Sequence, residues 1–441
     1  MNILRVKRKA LAVLERVEVD KSYLHLLLQK EAKSSGSAPE EYPVLVQLVR
    51  GVLEHRAELD EALGEFLPRG LSSLPVPVQQ LLRLGAYQIL FLERVKKKDV
   101  VFEAVELTKG GDFQGFSKLV NAVLRKIEPS AFGVGRASSA TQNFPEWLIE
   151  RWTAQFGQEE VEAFCESATR RLPLYLRVNT IRTDRGALER ALVKEGVIAR
   201  PAILSPNSLC VESLPKNKRI TQLESFRRGL FFVQDLSSTL VADILSADRP
   251  QSVCDVCAAP GGKACSVALS IREFGGSVRA FDRTDMRSGL IRSAVSQLGI
   301  ENVSVGVRDA SQVAEFEQES YDAVLLDAPC SGFGTLGRKI DIRWSKSESS
   351  IQELTVAQAE LVRAAARLVK PGGSLIYSTC TIERAENEDI VESFLQTRPD
   401  FVVENLSTIL SQEVCTTEGF YRAWPQRNEM AGAFAAKLRR L

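Results

Sequence analysis

From Phe231 onward the chain alternates short β-rich apolar runs with helix-period stretches, and this alternation constrains the fold more than any other feature. The runs Ser252-VCDVC, Ser277-VRAFD, Val303-SVGV, Tyr321-DAVLLD and Gly373-SLIYSTC have the length and branched-residue content of buried strands. Between them Lys263 to Glu273, Asp285 to Leu298, Ser349 to Val369 and Arg384 to Gln396 repeat apolar residues at three and four. Such a pattern predicts a mostly parallel, doubly wound α/β sheet. Ligands of these sheets bind beyond the carboxyl ends of the strands, which makes Asp255, Cys257, Asp282, Asp309, Asp327, Cys330, Thr379 and Cys380 the first residues to consider.

Upstream the pattern differs. From Val6 to Glu128 the periodicity is helical, as in Tyr42-PVLVQLVRGVLEHRAELDEAL and Val78-QQLLRLGAYQILFL, with prolines 39, 43, 68, 75 and 77 falling between the periodic stretches. This predicts an all-α domain over 1–130, of roughly five to seven helices. Residues 131–143 read as a linker, within the small, polar, glycine-containing stretch PSAFGVGRASSATQN. A helical piece, Phe144 to Thr169, then leads to strand-like runs at Leu174-YLRVNT, Ala202-ILS, Leu209-CVES and Gly229-LFFVQD, which predict a small α+β subdomain over 144–230. The α/β domain takes 231–441.

Charge narrows the function. With 57 Lys and Arg against 56 Asp and Glu, the chain is not basic throughout, so any nucleic-acid surface must be local. Residues 170–230 carry such a surplus, 13 Lys and Arg against 5 Asp and Glu. Eight cysteines in 441 residues are too sparse for a disulfide scaffold. The opening MNILRVKRK lacks the apolar core of a secretory signal and no stretch of about 18 uncharged apolar residues occurs, so a cytoplasmic protein with no membrane span is expected. The only histidines are His25 and His55, which excludes a His-based metal site or acyl-transfer triad in the C-terminal half.

The first strand of the α/β domain runs into Cys257, Ala258, Ala259, Pro260, Gly261, Gly262 and Lys263, a loop whose glycines and following helix end suit a nucleotide-like or carboxylate-bearing ligand. Neither GxGxxG nor a Walker pattern is present, which demotes NAD and ATP. Asp282 ends the second strand, where a carboxylate can accept from ribose hydroxyls, and Asp309 ends the third, where it can accept from an adenine amino group. Together they outline an adenosine-containing cofactor. The fourth strand delivers Asp327 and then Cys330 in LDAPCSGFGTLGRK, and the fifth ends at Cys380 in STCT. Two cysteines at neighbouring strand ends, beside an acid and a helix start, are in a setting that favours thiolate chemistry. Cys254 and Cys257 form a CxxC, but they are expected on opposite faces of a strand with no second pair or histidine, so neither a metal nor a redox role is expected. A thiolate beside an adenosyl cofactor fits activation of a poor carbon nucleophile such as cytosine C5 by addition at C6.

At CAAPGGK, DAPCSGFGTLGRK and STCT, in that order, the chain resembles the RNA cytosine-C5 methyltransferases of the NOL1/NOP2/Sun group. The resemblance covers essentially the whole chain, because Leu82-RLGAYQILFLERV and Lys118-LVNAVLRKI are similar to helices of the NusB-type RNA-binding fold. It implies a multidomain protein: an all-α NusB-like domain, a small α+β linking domain and a Rossmann-like S-adenosylmethionine-dependent methyltransferase domain. It also implies Cys380 as nucleophile, Cys330 as the thiol aiding product release, and Asp327 as a contact to cofactor and base. Residues Cys257 to Lys263, Asp282 and Asp309 would hold S-adenosyl-L-methionine, with no metal. The substrate it implies is 16S rRNA, at the site usually called cytosine 967, and the protein is expected to act as a monomer with residues 170–230 guiding the RNA.

Overall fold

The computed structural model describes residues 2–33, 40–109, 113, 115–128, 139–216, 218–312 and 318–441. Most of the expected linker, residues 129–138, lies outside the described residues. The chain forms two compact units, one of Met1–Arg170 with Leu336–Lys346 and the other of Arg171–Thr335 with Ser347–Leu441.

The first unit is all-helical among its described residues. Helices Ile3–Val19, Leu24–Lys33, Glu41–Glu54, Arg56–Gly64, Val76–Phe91, Lys97–Leu107 and Ser117–Lys126 surround a single apolar cluster. Val76–Phe91 is buried on almost every face, as its weakly amphipathic run of Leu, Ile and Ala requires. Pro43 and Pro77 lie within first helical turns, where a missing N–H costs nothing, and not between helices as expected. The helical piece expected from Phe144 to Thr169 is present as two helices, Glu146–Phe156 and Gln158–Ser167, because Gly157 adopts φ +83° and turns the chain. Leu336–Lys346 completes this unit: Ile340 is in its core, Trp344 Nε1 donates to Leu53 O at 2.9 Å, and Leu24 N donates to Asp341 Oδ2 at 3.2 Å.

In the second unit β1 (Leu174–Val178), β2 (Ile198–Pro201), β3 (Ser208–Ser213) and β4 (Phe231–Val233) form an antiparallel sheet in the order β2-β3-β1-β4. The strand expected at Ala202 to Ser205 falls instead at Ile198–Pro201, and residues 202–205 lead into the turn to β3. The basic residues here are partly internal. Arg177 is buried against Asp243 at 3.3 Å, and Arg200 pairs with Glu212 and Glu429.

The larger sheet contains β5 (Ser252–Asp255), β6 (Ser277–Asp282), β7 (Val303–Val307), β8 (Tyr321–Asp327), β9 (Val369–Thr379), β10 (Phe401–Glu404), β11 (Tyr421–Ala423) and β12 (Ala433–Arg440). Its order is β10-β12-β9-β8-β5-β6-β7, with β11 against β12. β6, β7, β8 and β9 run parallel through the central β5, and the last three strands are antiparallel. Successive residues of β8 face opposite sides, Ala323 and Leu325 into one core and Val324 and Leu326 into the other. Helices Leu236–Ser246 and Gly262–Ile271 cover the first side, and Glu348–Ala366 and Glu388–Thr397 the second. The chain starts at β5, builds β6 and β7 to one side, then returns to place β8 on the other, so the strand order reverses between β5 and β8.

Candidate active site at the carboxyl ends of β5, β6, β8 and β9

The loop after β5 is closed by its neighbour strand. Ala258 N donates to Phe281 O at 2.8 Å, and Ala259 N donates to Asp282 Oδ2 at 3.1 Å. Gly261, at φ +107°, caps helix Gly262–Ile271 without a side-chain hydrogen bond, so the first-turn amides have no side-chain acceptor. A Cβ at Gly261 would also stand 3.2 Å from Ile291 Cα, a tight contact added to the strain of that φ. Cys257 lies beyond the end of β5, not within a strand opposite Cys254 as expected. Burial pushes its thiol up, assisted by the negative charges of Asp255 and Asp282. The CxxC therefore spans a strand and a loop.

Asp282 ends β6, almost wholly buried, with Oδ1 taking the Arg287 Nε donor at 2.7 Å and Arg283 N at 2.8 Å. Asp309 stands two residues past β7. Its Oδ1 accepts from Ser311 N and Oγ, and those hydrogen bonds hold its carboxyl below the usual range. The structure thus joins Asp282 to the glycine loop through Ala259, while the hydrogen bonds of Asp309 are local.

Asp327 and the cysteines come together. Asp327 Oδ2 accepts from Lys263 Nζ at 2.7 Å, and its Oδ1 accepts from Ser378 Oγ at 2.9 Å, joining the β5 loop to the ends of β8 and β9. Burial would lower the Lys263 ammonium, but the charge and hydrogen bond of Asp327, with the charges of Cys380 and Asp255, together outweigh this and hold it above its ordinary value. Cys330 Sγ lies 3.4 Å from Cys380 Sγ, and Cys380 N donates to Cys330 Sγ at 3.4 Å. Both residues are intermediate between buried and exposed. At Cys330 the hydrogen bond with Cys380 and burial push the pKa well above the ordinary value. Two glycines let the cysteine loops approach, since Gly334 N donates to Cys380 O at 3.0 Å and a Cβ at Gly334 would meet Gly432 O at 2.0 Å.

Sequence reasoning passed over several residues here. Asp255, a strand end, is buried, and burial first, then the charge of Asp327, pushes its carboxyl up to about 8. Gln234 Nε2 lies 3.3 Å from where a Gly262 Cβ would be, and its Oε1 accepts from Ser266 Oγ, in the helix that follows the glycine loop, at 2.6 Å. Glu386 and Asn387 follow the β9 end and hold the cysteine turns. Their only sequence signal was polarity within an otherwise helical stretch.

Among the described residues no group of three His, Cys, Asp or Glu side chains could hold a metal ion, and no helix is long and apolar enough to cross a membrane.

Comparison with known proteins identifies the assembly. Residues 242–439 match the family described as 16S rRNA methyltransferase RsmB/F, residues 5–129 the NusB family, and residues 144–216 the ferredoxin-like domain of RsmF/B-like methyltransferases. The chain is 34% identical to a probable ribosomal RNA small subunit methyltransferase B of Bacillus subtilis, over 90% of this chain and 89% of that protein. It is 30% identical to the corresponding Synechocystis protein over 99% and 100%. The solved structure PH0851 superposes with a TM-score of 0.80 at 28% identity, covering 98% of both chains. NSun6 from Pyrococcus horikoshii, solved with SFG, shares the fold at a TM-score of 0.60 and 22% identity, over 67% of this chain and 98% of its own. With a NusB domain, a small linking domain and a parallel-rich α/β methyltransferase domain in one chain, the protein belongs to the RsmB/F family of 16S rRNA methyltransferases.

Proposed function

We propose that the protein transfers a methyl group from S-adenosyl-L-methionine to C5 of a cytosine in 16S rRNA, the family's cytosine 967, through a covalent bond from Cys380 to C6. The 3.4 Å separation of the Cys330 and Cys380 sulfurs carries this reading, because addition and elimination at one ring need two proton-transferring groups within reach of one another. The donor set at the strand ends fits the cofactor. Uncapped amides at Gly262–Ile271 suit its carboxylate, Asp282 and Asp309 suit ribose and adenine, and the Cys257 to Lys263 loop, tied to Asp282 through Ala259 N, would line the site. When bound, S-adenosylmethionine supplies an electrophilic methyl.

The chain's residues do the rest. The Cys380 thiolate adds to C6, and the displaced electron pair makes C5 nucleophilic. Asp327, held by Lys263 and Ser378, would stabilise charge at N3 and N4 as the adduct forms. Once C5 is methylated, its proton must leave and the C6–S bond must break. Cys330 in its resting state holds a proton, consistent with its raised pKa. It protonates the departing Cys380 sulfur, and the resulting thiolate takes the C5 proton, which restores the ring double bond and the Cys330 thiol. The division into a NusB-like domain over 1–130, a linker over 131–143, a guiding subdomain over 144–230 and a catalytic domain over 231–441 belongs to the same proposal.

Cys330→Ala mixed with 16S rRNA and cofactor is expected to accumulate a protein–RNA adduct that survives denaturation, whereas Cys330→Ala/Cys380→Ala forms none. Absence of adduct from the single variant, with methylation continuing at the parent rate, would overturn the assignment of the two thiols.

A further inference from the structure

Two adjacent residues beyond β9 hold the two cysteine turns separately. Glu386 is fully buried, and its Oε1 accepts from Ser331 N at 2.8 Å, the amide that follows Cys330. The same oxygen accepts from Gln358 Nε2 at 3.0 Å, and Gln358 Nε2 also donates at 2.8 Å to Pro329 O, the carbonyl that precedes Cys330. The turn is thus gripped on both sides of Cys330. Asn387, also fully buried, grips the other cysteine. Its Oδ1 accepts from Thr379 Oγ1 at 2.5 Å and its Nδ2 donates to Thr381 O at 3.1 Å, on either side of Cys380. Ser331 Oγ and Thr381 Oγ1 join the two turns at 2.7 Å. Tyr377 OH donates to the backbone carbonyl of Glu386 at 2.6 Å and anchors the pair to β9.

We propose that Glu386 and Asn387 are positioning residues that divide the reaction between them: Asn387 sets Cys380 for addition to the ring, and Glu386, with Gln358, sets Cys330 for product release. This rests on the roles given to the two thiols above. None of the three side chains reaches the reacting atoms. They act by fixing backbone, and misplacement of a reacting group by about 1 Å is enough to cost two orders of magnitude in rate. Because each grips a different turn, loss of one impairs a different step from loss of the other.

Single-turnover and steady-state methylation of 16S rRNA test the division. Glu386→Ala and Gln358→Ala are expected to give a burst, with the first turnover within about two-fold of the parent, later turnovers slower by about ten-fold or more, and adduct accumulating. Glu386→Gln, which keeps an acceptor for Ser331 N, is expected to restore most of the later rate. Asn387→Ala is expected to slow the first turnover itself by about ten-fold or more, with no burst and no adduct. Uniform slowing by Glu386→Ala and Gln358→Ala without adduct, or parent kinetics in both, would overturn the proposal. Thermal unfolding of each variant is measured alongside, and should Glu386→Ala fail to fold, Gln358→Ala decides. Cys330→Ala run in parallel separates the two layers: no adduct from it means the thiol roles have failed, whereas adduct from it and none from the Glu386 and Gln358 variants means that only the positioning has failed.

Discussion

Asp255 is a carboxyl that the fold keeps from ionising. Its pKa is raised to about 8 from an ordinary 3.8, chiefly by burial, so folding takes up a proton between those values. The contribution it makes to stability is complete below the unfolded pKa and is lost as pH rises through the folded one. Urea unfolding of the parent is therefore expected to show stability declining from about pH 5 to pH 9, and Asp255→Asn is expected to flatten that decline. A slope that the substitution leaves unchanged would assign the titration elsewhere. Residues at this scale were unevenly legible in the sequence. Strand-end acids and cysteines could be found because a doubly wound sheet collects its chemistry at one edge. Gln358 and Glu386 could not, since their shared work on the Cys330 turn joins positions 28 and 55 apart in the chain.

Five strands of the large sheet were legible as apolar runs, and the three antiparallel ones were not. In β12 the reason is Lys437, which interrupts the apolar pattern yet is 1% exposed. Its ammonium sits 2.8 Å from Asp248 and 2.9 Å from Glu404, and Arg439 pairs with the same two carboxylates. Local polarity cannot reveal that a lysine will find two acids brought by other elements. Removing it leaves both acids with Arg439 alone, so Lys437→Ala is expected to cost about 2–3 kcal/mol, less than the loss of a sole partner would. Chemical denaturation gives that difference directly. A change under about 0.5 kcal/mol, typical of a surface position, would show that Arg439 suffices. The break at Gly157 was hidden for a different cause, as a glycine inside a helix-period stretch reads equally as tolerated or as a turn.

At the scale of the whole molecule, the helical part and the strand-containing remainder could be read from the change from helical period to strand-like runs near Leu174. What could not be read is that Leu336–Lys346, which follows the glycine-containing Cys330 loop and is rich in basic residues, belongs to the helical unit. Ile340 fills its core, Arg56 lies over the Trp344 ring at 5.0 Å, and Arg343 stacks on Phe144 at 4.3 Å. Trp344→Ala is expected to destabilise that unit by about 2–4 kcal/mol, through lost packing and the orphaned Leu53 carbonyl. Hydrogen exchange should then accelerate in Glu41–Glu54, and protection there equal to the parent's would contradict the assignment.

The path of the backbone carries a practical lesson for anyone dissecting this enzyme. No lone scission yields both halves intact: severing the chain between them strands eleven residues from Leu336 to Lys346 with the wrong fragment. A truncated helical piece would show a gap where Ile340 belongs, and a truncated methyltransferase piece would carry an orphaned loop shortly downstream of Cys330, so assays on either fragment would report on the surgery as much as on the protein.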